Sequence, residues 1–172
     1  MHKIIRIASV VSMLGATPVW ASDYISAYIP DAKTVGQGRM TFLMWDVYDA
    51  TLYAQDGTWR EGKPLALTLS YLRDLNGEDI ARRSIEEMRR QGFNNEIRLA
   101  TWFGQMKRIF PDVTTGVSLS GVLTPDGVTV FFRDGVEIGR INDPDFGLAF
   151  FNIWLSQSTS VPELRAQLLG RT

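Results

Sequence analysis

Cysteine is absent from this chain, and its one histidine stands at position 2. His2 lies inside an N-terminal stretch that reads as removable. The remainder then cannot build a Ser-His-Asp triad, a Cys-His dyad or a zinc site with His or Cys ligands. Catalysis would fall to carboxylates, Tyr, Lys, Arg, hydroxyls or a bound cofactor. Asp46 and Asp49 with Glu86 or Glu87 are the available carboxylate pairs, but nothing in their spacing requires acid–base work. Arg82-Arg83 and Arg89-Arg90 interleave with Glu78, Asp79, Glu86 and Glu87 at helical distances, which predicts a salt-bridged helix face rather than an anion site. Ser156-Gln157-Ser158 has no partner base and reads as a loop. No residue is assigned as catalytic, and no metal site or cofactor is expected.

The N-terminus sets the compartment. Lys3 and Arg6 form a short basic region, Ile7 to Leu14 is mostly apolar, and Val19-Trp20-Ala21 carries small or medium residues where a signal peptidase cuts. That order predicts a secretory signal over residues 1–21, delivering a domain of residues 22–172 to the periplasm. The apolar run is shorter than the roughly 20 residues a membrane span needs. The most apolar later stretch, Phe146 to Leu155, is also too short, so no transmembrane segment is expected after cleavage. Losing Lys3 and Arg6 takes the formal charge from −1 to about −3. A mildly acidic domain gives no electrostatic reason to expect nucleic acid. About 150 residues suffice for one domain with a real core.

The elements that must position any site follow from periodicity. Residues 22–34 are polar with scattered aromatics and carry no clear signal. Gly36 and Gly38 precede a β-rich region from Arg39 to Ala54. Leu65, Leu67, Leu69 and Tyr71 alternate with small or polar residues, which predicts a strand with one apolar face. Asn76 with Asp79 starts a helix carrying Ile80, Ala81, Ser84, Ile85 and Met88, closed by Gly92. A second helix carries Leu99, Trp102, Phe103, Met106 and Phe110 and stops at Pro111. Three strands follow, turning at Pro125-Asp126-Gly127 and Asp134-Gly135. Asp143 and Pro144 open a helix that is apolar nearly all round. Ser160 with Glu163 predicts a capping box for a last helix through Leu169. The result is an α+β fold, an antiparallel sheet of about six strands with helices on one face.

The order β-β-β-α-α-β-β-β-α-α resembles the chalcone isomerase fold, an open-faced β-sandwich, and in particular its bacterial chalcone-isomerase-like branch. The strings that carry the resemblance are Trp45 to Ala54, Leu69 to Asp79, Ser84 to Arg89, Phe110 to Val113 and Gly139 to Leu155. It covers about residues 33–170. In the plant enzymes an Arg and a Thr on early strands, with a Tyr and an Asn on the first helix, surround the substrate. Here Arg39 matches the Arg, Tyr48 stands at the Thr position, Ile80 replaces the Tyr and Glu87 replaces the Asn. The enzyme chemistry needs a phenol and a polar network to hold water and a developing enolate. Ile80 supplies neither, so authentic chalcone cyclisation is not expected.

The resemblance also extends to fatty-acid-binding relatives of the same fold, in which an Arg and a strand Tyr hold a carboxylate. It therefore implies a non-catalytic binder of a fatty-acid-like or other apolar carboxylate ligand, with Arg39, Tyr48, Ile80 and Glu87 at the site. An Arg and a Tyr can together give a carboxylate three hydrogen bonds. Arg39 and Tyr48 are an odd number of positions apart, however, so a regular strand points them to opposite faces. They share a pocket only if a bulge intervenes, near Trp45-Asp46. Trp45, Trp102, Phe103, Met106, Phe150 and Trp154 are candidate pocket aromatics or plain core. The alternatives are an isomerase or lyase acting on an apolar carbonyl, with Arg39 polarising it and Tyr48 as acid, and a structural or assembly partner in the envelope. Oligomeric state is open.

Overall fold

A computed structural model describes residues 22–171. The predicted signal, residues 1–21, lies outside the described residues. The elements are α1 (Ser22–Ser26), β1 (Ala32–Phe42), β2 (Trp45–Gln55), β3 (Leu65–Tyr71), α2 (Gly77–Arg90), α3 (Glu96–Ile109), β4 (Ser118–Leu123), β5 (Thr129–Arg133), β6 (Val136–Ile141), α4 (Pro144–Leu155) and α5 (Pro162–Leu168). The six strands form one antiparallel meander in chain order, β1 to β6. Helices α2 to α5 pack on one face of it over the larger core. No described helix is long and apolar enough to cross a membrane.

Two segments differ from expectation. Residues 24–32, which carried no clear signal, cover the other face of the sheet. Tyr24, Ile25, Tyr28 and Ile29 close a second core over Ala66, Val122, Val130 and Phe132. The Tyr24 hydroxyl reaches Ser120 Oγ at 2.7 Å. For that reason β3 is buried on both faces at Ala66 and Thr68, not half-buried as its alternation predicted. The second difference is that β1 runs through Gly36 and Gly38 instead of starting after them. A Cβ at Gly36 would collide with the backbone oxygen of Gln167, and one at Gly38 with the Gln167 side chain. The two glycines therefore let α5 lie directly on β1, a close approach that no larger residue permits.

The predicted caps of α2 and α4 form, α3 has a cap at Asn95 that periodicity did not reveal, and there is one exception. Asn76 accepts hydrogen bonds from the backbone of Glu78 and Asp79, and Asn95 accepts one from Arg98. Asp143 accepts from the backbone of Asp145 at 3.1 Å, from Arg98 at 2.8 Å and from the Trp102 indole at 2.9 Å. One carboxylate thus caps α4 and ties it to α3. The exception is α5, whose N-cap is Val161 with no side-chain cap bond. The Ser160–Glu163 box does not form. Ser160 is one residue too early, and its hydroxyl donates to Glu87 Oε2 at 2.8 Å.

Two predictions follow from this packing. Gly36→Ala should push α5 off β1 and lower unfolding stability in urea by about 1–3 kcal/mol, the usual range for overpacking. Asp143 is held below the usual carboxylate range. Burial works against that, but the bonds from Arg98 and Trp102 outweigh it. Its contribution is present at neutral pH and is lost as pH falls through the depressed folded value. Asp143→Asn keeps a capping oxygen but removes the charge paired with Arg98, so it should lower stability at pH 7 by about 1 kcal/mol, the upper worth of a part-exposed ion pair. It should also flatten the acid limb of a stability–pH profile followed by Trp fluorescence.

Candidate functional site

A cavity of about 870 Å³ lies between the sheet and the helices. Its sheet wall is made by side chains such as Leu67, Leu69, Leu119 and Phe131, and its helix wall by Phe110, Phe150 and Ile153. The size falls within the range usual for small-molecule sites, and so does the apolar character of the wall. The α4 side of the cavity is rigid because Phe150 packs against Phe131, Phe146 and Trp154 with ring centroids 5.4 Å apart in each case.

Tyr48 borders this cavity. On β2 it lies opposite Met40 of β1 and Tyr71 of β3, and its ring meets Tyr71 edge-on at 5.9 Å. The Trp154 indole N–H donates to the Tyr48 hydroxyl oxygen at 2.9 Å. Burial pushes the Tyr48 hydroxyl up to about 12; the Trp154 bond opposes this, nearby Glu87 adds to it and Arg83 opposes it. At neutral pH the phenol keeps its proton. With Trp154 filling an acceptor site, Tyr48 is oriented to donate that proton as a hydrogen bond.

Helix α2 forms one flank. Ile80, Ser84 and Glu87 are spaced three and four apart and all border the cavity. Ile80 presents a hydrocarbon there. Glu87 is 4% exposed. It accepts from Arg83 at 2.6 Å and from Ser160 at 2.8 Å, with Arg90 at 3.4 Å. Both carboxylate oxygens are occupied, so Glu87 joins α2 to the α4–α5 connection rather than offering a free base. The salt-bridged helix face expected from the arginine pairs is present, since Arg82 meets Glu78 and Asp79 and Arg89 meets Glu96.

Arg39 is placed differently. It stands opposite Asp49 in the β1–β2 register and shares that residue's face, whereas Tyr48 belongs to the helix face. Its guanidinium donates to both Asp49 oxygens, at 2.6 and 2.9 Å, and to Asp46 at 3.0 Å. These two carboxylates hold Arg39 firmly protonated, and Arg39 in turn lowers Asp49. A bulge does interrupt the hairpin between Met40 and Thr41. It comes after the Arg39–Asp49 and Met40–Tyr48 pairs, so it does not rotate Arg39 onto the Tyr48 side. Arg39 borders the cavity only from the exposed hairpin, beside Thr41 and Phe42.

Of the candidate aromatics, Phe150 and Trp154 line the cavity. Trp102 and Met106 are sealed in the core, Phe103 packs against it, and Trp45 is 61% exposed on the β1–β2 hairpin. The sequence does not place Arg73, Tyr71 or Ser160 at the site; it marks Tyr71 only as a strand residue and Ser160 only as a helix cap. Arg73 is half-buried at the cavity and stacks on the Trp45 ring at 5.1 Å. Tyr71 could have been found from its apolar-face position on β3. Arg73 and Ser160 lie in connections, where no periodicity reveals direction. Among the described residues, no group of three or more His, Cys, Asp or Glu could hold a metal ion.

Comparison with known proteins places this architecture. An uncharacterized protein of Haemophilus influenzae is 29% identical over 141 residues, covering 81% of this chain and 69% of that one. The crystal structure of a fatty-acid binding protein of Arabidopsis thaliana superposes with a TM-score of 0.63 at 13% identity, covering 81% of this chain and 87% of that one. At that identity the likeness is one of fold. A family model described as chalcone isomerase-like matches residues 33–170, from the second residue of β1 to the turn after α5. The chain belongs to the chalcone isomerase-like family.

Proposed function

We propose that this protein is exported to the periplasm and carries a fatty-acid-like or other apolar carboxylate ligand between its sheet and helices, without catalysing a reaction on it. The observation that carries the reading is the cavity of about 870 Å³ with its largely hydrocarbon wall. The shared fold with a fatty-acid binding protein supports it. So does Ile80, which offers no proton where the resemblance to the enzymes calls for a phenol. An envelope assembly partner would need no such space inside it. Residues 1–21 support export through their basic, apolar and small-residue order.

A ligand tail among Leu67, Leu69 and Phe150 gains about 0.8 kcal/mol per buried methylene at most. The headgroup then needs few contacts. The Tyr48 hydroxyl is a ready donor. Arg39 lies on the opposite face of the edge strand β1, so it joins only at the hairpin mouth, by giving up Asp46 and Asp49 and turning round the strand edge toward a ligand carboxylate. In this reading Glu87 shapes the cavity flank and Ile80 lines it.

Native mass spectrometry of protein purified from the periplasm without detergent should find bound acyl carboxylates on a chain starting near Ser22. A chain that carries none, and takes up none after delipidation, contradicts the proposal. Tyr48→Phe should weaken a fluorescent fatty acid about tenfold to a hundredfold, the loss of one hydrogen bond to a charged group. Arg39→Ala should weaken carboxylates but leave the matching neutral alcohols unchanged. Turnover of a chalcone panel that Tyr48→Phe abolishes would instead favour an isomerase.

A further inference from the structure

The β1–β2 hairpin ends in four consecutive apolar residues that the fold does not use. Phe42 is 55% exposed, Leu43 82%, Met44 90% and Trp45 61%. Phe42 and Trp45 pair across the turn, so Leu43 and Met44 form its tip. Leu43 has φ +57°, a left-handed conformation that favours Gly or Asn. Turn chemistry therefore argues against Leu43, and core packing gives no reason for it. Contiguous exposed apolar surface of this kind marks an interaction site.

Two neighbouring features say what it meets. The first is charge. Arg73 stacks its guanidinium on Trp45 at 5.1 Å, and among the described residues no carboxylate pairs with it. Arg39 at the same hairpin is taken up by two carboxylates, Asp46 and Asp49, a group with one net negative charge, which leaves Arg73 as the guanidinium open to a phosphate. An available guanidinium behind an apolar tip, with a Trp between them, matches the order of phosphate and hydrocarbon at a lipid surface. The second is continuity with the cavity. Phe42 and Arg73 both border it, so the tip and the cavity form one surface.

We infer that the Phe42-Leu43-Met44-Trp45 tip docks on a phospholipid membrane surface, with Arg73 at the phosphate level, and sets the cavity against the source or destination of its ligand. The ligand route rests on the carrier reading; the docking itself does not. Insertion is shallow. The tip enters the interfacial layer while the domain remains outside, as with other interfacial anchors.

The test uses protein purified at its natural N-terminus and unilamellar phosphatidylcholine vesicles, with and without phosphatidylglycerol. Wild type should co-sediment with both and bind the anionic vesicles more tightly. Leu43→Asn combined with Met44→Ser alters two exposed positions, and Asn suits the left-handed turn. That variant should lose about tenfold or more of the vesicle partition. Its uptake of a dissolved fluorescent fatty acid, measured without vesicles, should not change. Arg73→Gln should remove several-fold of the preference for anionic vesicles. Wild type that leaves both vesicle types free in solution overturns the docking, as does a double variant that sediments equally well. A wild-type dimer that the double variant abolishes, in the absence of vesicle binding, also overturns it by making the tip an interface between copies. Failure of dissolved fatty acid to bind is a separate result, which contradicts the carrier reading instead.

Discussion

Tyr48 and Asp49 are neighbours in the chain and belong to opposite sides of the sheet, because successive residues of a strand alternate between its faces. Much of the site's chemistry depends on that alternation. Tyr48 turns toward the helices, where burial keeps its phenol neutral and the Trp154 indole orients it. Asp49 turns away and holds Arg39 with it. One face presents hydrocarbon and a hydrogen-bond donor to the cavity, while the other keeps an exposed ion-pair cluster. Exposed pairs of this kind add little stability, so their main effect here is to occupy the Arg39 guanidinium.

A cavity of this size between sheet and helices persists because its walls are fixed by contacts outside it. Gly36 and Gly38 let α5 rest on β1, which sets one edge. Glu87 links α2 to Ser160 between α4 and α5, which sets the flank. Asp143 joins α3 to the start of α4. On the reverse of the sheet, α1 and the segment after it bury a second, smaller core. The strands are thereby supported from behind without filling the space in front.

Much of the fold was legible in the sequence. Alternation at Leu65 to Tyr71, the Asn76 and Asp143 caps and the Asp134-Gly135 turn are local signals, and each names its element. Residues 24–32 were not legible, because their aromatics bury only against strands distant in sequence. The glycines of β1 misled in a different way. Gly usually marks a turn or strand end, and here it records the approach of a helix more than 120 residues away. At the site, parity already separated Arg39 from Tyr48. What sequence lacked was the register, which puts the bulge beyond both pairs. Ser160 was read as a cap because Ser-x-x-Glu is a local pattern, whereas its actual partner, Glu87, is non-local.

The central claim is that the space between sheet and helices binds a hydrocarbon chain ending in an acid. Calorimetric titration of delipidated protein with dissolved saturated carboxylates of increasing length tests it most directly. Affinity should rise with each added methylene, by up to about 0.8 kcal/mol, and level off once the cavity is filled. Affinity that is absent, or that does not depend on chain length, would contradict the account.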